Sequence, residues 1–335
     1  MFYIINKLNR NKVSKKIKYK FNGLTLIFFY VFLYFFTNNI IYSQNIEENN
    51  NEYLIPMGNI LQIDAELKNL IVRNEVDNSP LKIGDSILKI EDKNINSYED
   101  FNKSLSTLKK SDNISILIRR ENSIFSLKCD RKALEKTNFN NLISGFATLT
   151  YVNPNTKEFG AVAHPINIGG TKKIPIKKGC ISYTDNLNIK KSCRGNVGCI
   201  SASKNNIIGE FNKNSDFGIK GKISDIDLSK YEKYKIASIE EVKLGKAQII
   251  LQDVNNQCKK YDIEIINIEH QHKPDSKGIK IKITDPELLQ KTGGIVQGMS
   301  GTPIVQGDKI VGAISHALEN NPSLGYGVYI QWMIH

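Results

Sequence analysis

Gly298-Met299-Ser300-Gly301-Thr302-Pro303 is followed by Ile304-Val305 and, after a turn, by Ile310-Val311-Gly312-Ala313-Ile314-Ser315. The stretch is a small-residue turn with one serine, opening onto two apolar strands. Glycines on both sides of the serine permit a tight turn and let another backbone approach closely. Such a turn can aim two backbone N–H groups, here those of Gly298 and Ser300, at one developing oxyanion. Ser300 is therefore read as a nucleophile, and the rest of the chain is searched for a base and an orienting acid.

The G-x-S-G-x-P pattern with a strand, a turn and a strand after it resembles the serine loop of chymotrypsin-like proteases. Upstream, Ala147-Thr148-Leu149-Thr150-Tyr151-Val152, a turn at Asn153-Pro154-Asn155-Thr156, and Phe159-Gly160-Ala161-Val162-Ala163-His164 read as a hairpin that ends in a histidine. Imidazole titrates near neutrality, so His164 is the expected base. Its place before the serine matches the chymotrypsin order. For the acid, Asp285, Asp216 and Asp225 are rivals on the residues alone, and an Asp beside a turn is usually a cap or an Asx turn. Further strands are expected at 207–210, 218–223, 248–251, 263–268 and 279–283. Many short strands with few helical patterns indicate a sandwich or a barrel.

Between Tyr53 and Arg131 the pattern changes. Leu70-Ile71-Val72 is a short apolar strand, and Ser86-Ile87-Leu88-Lys89-Ile90 alternates. Tyr98, Phe101, Leu105 and Leu108 fall at helical spacing. Ile114, Ile116 and Ile118 alternate again, as do Phe125 and Leu127. This order, with Pro80-Leu81-Lys82-Ile83-Gly84-Asp85 before a strand, resembles a bacterial PDZ domain. The resemblance implies that a peptide adds to a sheet edge and that its carboxylate meets backbone N–H groups of a turn. Leu54-Ile55-Pro56-Met57-Gly58 is the turn expected to do this.

Further out lies Leu24 to Phe36, an almost unbroken apolar run inside residues 22–43. About 20 such residues cross a bilayer. Lys7, Arg10, Lys12, Lys15, Lys16, Lys18 and Lys20 precede it with no acid among them, which the positive-inside rule assigns to the cytoplasm. The expectation is a single-pass membrane protein with its folded domains outside. The domains are then a basic tail (1–21), a transmembrane anchor (22–43), a polar linker (44–52), a PDZ domain (53–131) and a peptidase domain (132–335). The basic tail also explains much of the net charge of +12. No basic stripe interleaved with aromatics remains, so nucleic acid is not an expected partner. The five cysteines cannot all pair internally, and none completes a zinc pattern with a second Cys or His pair.

The whole order from Tyr53 to the end resembles the stage IV sporulation protein B family of PDZ-containing serine peptidases. The resemblance rests on Thr284-Asp285-Pro286, Lys291-Thr292-Gly293-Gly294-Ile295-Val296-Gln297-Gly298-Met299-Ser300-Gly301-Thr302-Pro303-Ile304, Gly312-Ala313, His316, and Gly325-Tyr326-Gly327. It implies a mainly β protein in which a PDZ domain precedes a chymotrypsin-like double β-barrel. The catalytic residues it implies are His164, Asp285 and Ser300, with Gly298 and Ser300 as oxyanion donors and no cofactor or metal. Ser315 and His316 lie on the strand after the serine loop, where they would contact substrate; His316 is alternatively structural, or the rival base to His164. The implied activity is a signalling endopeptidase that cuts its own chain and a regulator of a membrane-embedded protease, outside the mother-cell membrane around the forespore. One departure is Ala163, where the family usually has glycine. Two other functions fit parts of the pattern, a PDZ adaptor with an inert peptidase-like domain and a broad envelope quality-control protease.

Overall fold

The computed structural model describes residues 53–108, 113–121, 123–167, 173–224 and 226–335. In chain order the strands begin with β1 (Tyr53–Pro56), β2 (Ile60–Val72), β3 (Ser86–Ile90), β4 (Lys93–Asn94), β5 (Asn113–Arg120) and β6 (Ser123–Asp130). They continue with β7 (Phe139–Val152), β8 (Glu158–Val162), β9 (Ile176–Lys190), β10 (Cys199–Ser215), β11 (Gly218–Ile223) and β12 (Tyr234–Ile236). The last are β13 (Gly245–Gln252), β14 (Cys258–Ile268), β15 (Ile279–Ile283), β16 (Pro303–Gln306), β17 (Lys309–Ala317) and β18 (Leu324–Tyr329). Helices are short: α1 (Tyr98–Ser106), α2 (Arg131–Glu135), α3 (Pro286–Thr292) and α4 (Ile330–Ile334).

Two closed rings of strands organise this mainly β chain. In the first, β2, β7, β8, β11, β10 and β9 pair in that order and β9 returns to β2. In the second, β13, β14, β15, β18, β17 and β16 pair in order and β16 returns to β13. Closure removes the open edges that a flat sheet would expose. Each ring has its own apolar filling, with Leu61, Leu149, Phe159 and Ile181 in the first and Ile249, Ile263, Ile281 and Ile304 in the second. The alternation read from the sequence is what fills them: Tyr261, Ile263 and Ile265 point inward while Asp262 and Glu264 face water. A third cluster, including Leu54, Tyr151, Ala163, Ala313 and Val328, joins the rings. β1 runs across the seam, pairing with β7 through Ile55 and Pro56 and with β12 through Tyr53 and Leu54.

The small α/β unit grows out of two strands of the first ring. Ile60 to Leu67 of β2 belong to the ring, but Leu70 and Ile71 pair with β3 after a register shift. Phe139 of β7 likewise packs into the small unit's core, against Phe101 at a ring-centroid distance of 4.8 Å. Ile114, Ile116 and Ile118 are fully buried there, as alternation predicts. Helix α1 begins at Ser97, whose hydroxyl accepts from the Asp100 N–H at 3.1 Å. Asp85, 1% exposed, receives a two-pronged Arg120 guanidinium at 2.7 Å on each oxygen. Phe125 is 41% exposed and lies beneath that guanidinium.

Two expectations need correction. The turn assigned to carboxylate capture, Leu54-Ile55-Pro56-Met57-Gly58, is built into the ring seam. Its apolar side chains are buried, and the N–H groups of Met57 and Gly58 already donate to Thr150 and Leu149 of β7 at 3.1 and 2.9 Å. Gly58 is at φ +87° against the Ile250 carbonyl, so it serves the seam between the rings. The single-pass membrane placement is also not upheld: no helix among the described residues is long and apolar enough to cross a membrane. The segment assigned as the anchor, 22–43, lies outside the described residues.

Candidate active site

The serine loop lies where the rings meet, in a cleft lined from the first ring by Ala147, His164 and Ile200 and from the second by Gly298, Ser300 and His316. The loop's shape depends on two glycines. Gly298 sits at φ +105° and Gly301 at φ +94°. A Cβ on Gly301 would come within 2.3 Å of the Thr148 carbonyl oxygen and 2.6 Å of the Val162 nitrogen, so glycine is required there for both conformation and space.

The first ring holds this loop from the side. The buried hydroxyls of Thr148 and Thr150 donate to the carbonyls of Gly298 at 2.9 Å and Gly301 at 2.7 Å. The Thr148 N–H donates to the Ser300 carbonyl at 2.9 Å. These threonines were not singled out from sequence. The available signal was two hydroxyl residues on one face of an otherwise apolar strand, which must find partners when buried.

Ser300 Oγ donates to the Val162 carbonyl, and the Ser315 carbonyl is 3.5 Å away. His164 and His316 follow those two carbonyl-bearing residues closely in sequence, and their rings are 6.0 Å apart. The hydroxyl therefore sits between two imidazole-bearing segments, but its proton rests on a backbone oxygen. The cause is local. Val162 and Ala163 have φ of +83° and +63°, a region that a β-branched residue strongly avoids. The position before the histidine thus takes a conformation that glycine would adopt freely, which gives a physical sense to the glycine usual in the resembling family. Strain of this kind gathers at sites where function requires it.

His164 Nδ1 lies 3.0 Å from the Pro165 carbonyl. A carbonyl only accepts, so Nδ1 carries the proton and Nε2 keeps its lone pair. Burial pushes the His164 pKa below the usual 6.5, with the Pro165 bond opposing. His316 is pushed further, to about 4, first by burial and then by the fields of His164 and Lys277. Its Nδ1 is buried without a hydrogen-bond partner. Both rings are neutral at pH 7. Neutral imidazole at His164 is the form that accepts a proton, so the acid limb of the kcat/KM profile is expected below pH 6.5. The same shifts carry a stability consequence. Unfolded histidines bind protons that the folded ones refuse, so stability is complete above about pH 6.5 and falls as the pH drops towards 4. Chemical denaturation at pH 4.5 and 7.5, with and without His316→Gln, checks the sign.

The three acids divide differently from the expectation. No hydrogen bond joins Asp285 to His164 among the described residues. Asp285 caps α3, accepting from the Leu288 N–H at 2.9 Å on one oxygen and from the Asp262 N–H at 3.3 Å on the other. With Pro286 at the first helical position, this is a helix start in sequence as well as in space. Asp216 lies two residues before Gly218, which pairs with Val162, but its carboxylate is 68% exposed and bound to Lys173 at 2.9 Å. Asp225 lies outside the described residues. Ser315 is also corrected in part. Its hydroxyl faces inward, 2.6 Å from the Ser276 carbonyl and 3.1 Å from that of Tyr326, leaving its carbonyl towards Ser300. The N–H groups of Gly298 and Ser300 have no acceptor among the described residues. The five cysteines are all thiols, with Cys193 exposed and Cys199 at the cleft.

Residues 139–334 match the SpoIVB peptidase S55 family, and residues 47–130 match the PDZ domain. No curated protein matches the chain. Among solved structures, the Rv3671c protease in its inactive form is similar at 11% identity with a TM-score of 0.31, over 56% of this chain and 80% of that one. The chain belongs to the SpoIVB peptidase S55 family, and it is a serine peptidase that also carries a PDZ domain.

Proposed function

We propose that this peptidase works by acyl transfer with Ser300 as nucleophile and His164 as general base, in a chymotrypsin-like arrangement of two barrels. The observation that carries the reading is the meeting of Ser300, a neutral histidine with a free Nε2, and two unpaired N–H donors in one cleft. Ser300 turns its hydroxyl from the Val162 carbonyl to His164 Nε2 and attacks a peptide carbonyl. The proton passes to His164 and then to the leaving amine, and water reverses the steps to release the acyl group. Gly298 and Ser300 N–H groups hold the oxyanion, where one donor is worth about 3 kcal/mol. The Pro165 carbonyl fixes the tautomer of His164, a task that a carboxylate performs in the Ser-His-Asp triad. Asp285 acts on helix α3.

The substrates are polypeptides. Family membership supports a signalling role in sporulation, in which the enzyme cuts itself and a regulator of an intramembrane protease, leading to activation of a late sigma factor. The test is incubation of the purified chain, alone and with an unfolded protein such as reduced casein, with new N-termini read by mass spectrometry. Cleavage at a few bonds, including bonds of its own chain, is the expected result. Digestion at many unrelated bonds would contradict the signalling role, and no cleavage at all would contradict the mechanism.

The role given to Asp285 has its own consequence. Asp285→Asn keeps an oxygen that caps α3, so kcat is expected to stay within about tenfold of wild type. A triad acid changed in this way costs about 10⁴-fold in kcat. Asp285→Ala, without a cap, is expected to lose about 1 kcal/mol of stability. Steady-state kinetics and urea denaturation of the two variants separate the roles.

A further inference from the structure

The oxyanion donor Gly298 N–H is aimed by the peptide plane of Gln297-Gly298. In a trans peptide the carbonyl and the following N–H point in opposite directions, so whatever grips the Gln297 carbonyl sets the direction of the Gly298 N–H. The grip comes from the first ring. The Ile200 N–H donates to the Gln297 carbonyl at 2.8 Å, and the Gln297 N–H donates to the Gly198 carbonyl at 2.8 Å. The Ile200 side chain also lies against Gly298, where an added Cβ would stand 3.0 Å away.

Gly198 and Ile200 are themselves fixed by the connection between β9 and β10. Near its start lies Ser192, 5% exposed. The Ser192 hydroxyl donates to the Ile295 carbonyl at 2.7 Å and accepts from the Gly198 N–H at 2.8 Å. The Ser192 N–H donates to the Thr292 carbonyl at 2.8 Å. Gly293, at φ +69°, has no room for a Cβ, which would meet the Ser192 carbonyl at 2.2 Å. One hydroxyl thus joins the β9–β10 connection to the segment that runs from α3 into the serine loop.

We propose that Ser192 is a positioning residue for the oxyanion hole, its hydroxyl holding the β9–β10 connection so that the Ile200 N–H grips the Gln297 carbonyl and turns the Gly298 N–H into the cleft. Ser192 touches neither substrate nor Ser300. Its loss acts through Gly198, Ile200 and Gln297, and frees the Gln297-Gly298 peptide to rotate. An interaction needed only when the oxyanion forms lowers kcat and leaves ground-state binding alone.

The inference rests on the peptidase reading, so the experiment is arranged to separate the two. The full chain is prepared as wild type, Ser192→Ala and Ser192→Thr, and each is assayed on a casein peptide that wild type cleaves. A fluorophosphonate probe measures the reactivity of Ser300, and thermal unfolding checks each fold. Ser192→Ala is expected to lower kcat and the labelling rate about 100-fold, the size of one lost oxyanion donor, with KM within threefold of wild type. Ser192→Thr, which keeps a hydroxyl, is expected to recover most of the rate. A folded Ser192→Ala with unchanged kcat, or with KM raised and kcat kept, overturns the positioning role. Wild type that neither cleaves nor takes the probe overturns the peptidase reading beneath it.

If Ser192→Ala does not fold, amide exchange in the wild type decides. Slow exchange at Ile200, with a peptide boronate shifting the Gly298 and Ser300 amide resonances, supports the grip. Fast exchange at Ile200 overturns it.

Discussion

Ser300→Ala is expected to give a folded protein with hydrolysis reduced about 10⁶-fold in kcat, the scale seen when the nucleophile of a cooperating set is removed. The fold survives because the side chain contributes little to it. The loop is held by its backbone, through Thr148 N–H on the Ser300 carbonyl and Thr148 and Thr150 hydroxyls on Gly298 and Gly301. The lost Oγ bond to the Val162 carbonyl is a single part-buried bond, worth about 1 kcal/mol net. Unfolding free energies of the two proteins are expected to agree within about 1.5 kcal/mol. A mutant that still cleaves casein at the same bonds would remove Ser300 from the chemistry.

His164→Ala is expected to lower kcat by about 10⁴-fold or more, whereas His316→Ala lowers it by less than about tenfold. The two rings are neighbours, and either is neutral at pH 7, so proximity alone does not choose between them. The choice follows from the hydrogen bonds. His164 has its Nδ1 proton placed on Pro165, which leaves Nε2 as a directed acceptor. His316 has a buried Nδ1 with no partner and a pKa of about 4, too low for a base that must hold a proton through the attack. The pH profile gives a second readout, because an acid limb reporting His164 is retained in His316→Ala. Equal losses in the two variants would contradict the assignment.

Much of this was legible before the fold was known, because it was written in short-range patterns. The serine loop announced itself by glycines whose positive φ values the structure reports at 298 and 301. The β7–β8 hairpin followed from alternation on both sides of an Asn-Pro-Asn turn. The helix over Tyr98–Ser106 followed from the helical spacing of Tyr98, Phe101, Leu105 and Leu108. What could not be read was pairing between distant strands. Only Leu70-Ile71-Val72 of β2 reads as a strand; the strand starts at Ile60, its first half closing a barrel and its last residues opening the small unit. Ladder partners and register are set by contacts far apart in sequence. For the same reason Leu54 to Gly58 looked like a ligand-binding turn, when the N–H groups of Met57 and Gly58 donate to β7.

Asp285 shows the opposite case. Asp-Pro ahead of Leu288-Leu289 is by itself a helix-start signal, and the local reading of a cap was sound. Resemblance moved the residue into the triad, but both carboxylate oxygens are taken by backbone donors of its own region. The threonines behind the serine loop were hidden for another reason. A buried hydroxyl in a β-strand is indistinguishable by pattern from an ordinary packed threonine until the facing carbonyls are known.

An activated nucleophile at Ser300 is expected to react with a fluorophosphonate ahead of every other serine. The direct measurement is to treat wild type, Ser300→Ala and His164→Ala with a fluorophosphonate at pH 7.5 and map the adduct by peptide mass spectrometry. The account predicts a single adduct on Ser300 in wild type, none in Ser300→Ala, and a much slower reaction in His164→Ala. An unlabelled Ser300 in active wild type, or equal labelling of all three proteins at another residue, would contradict it.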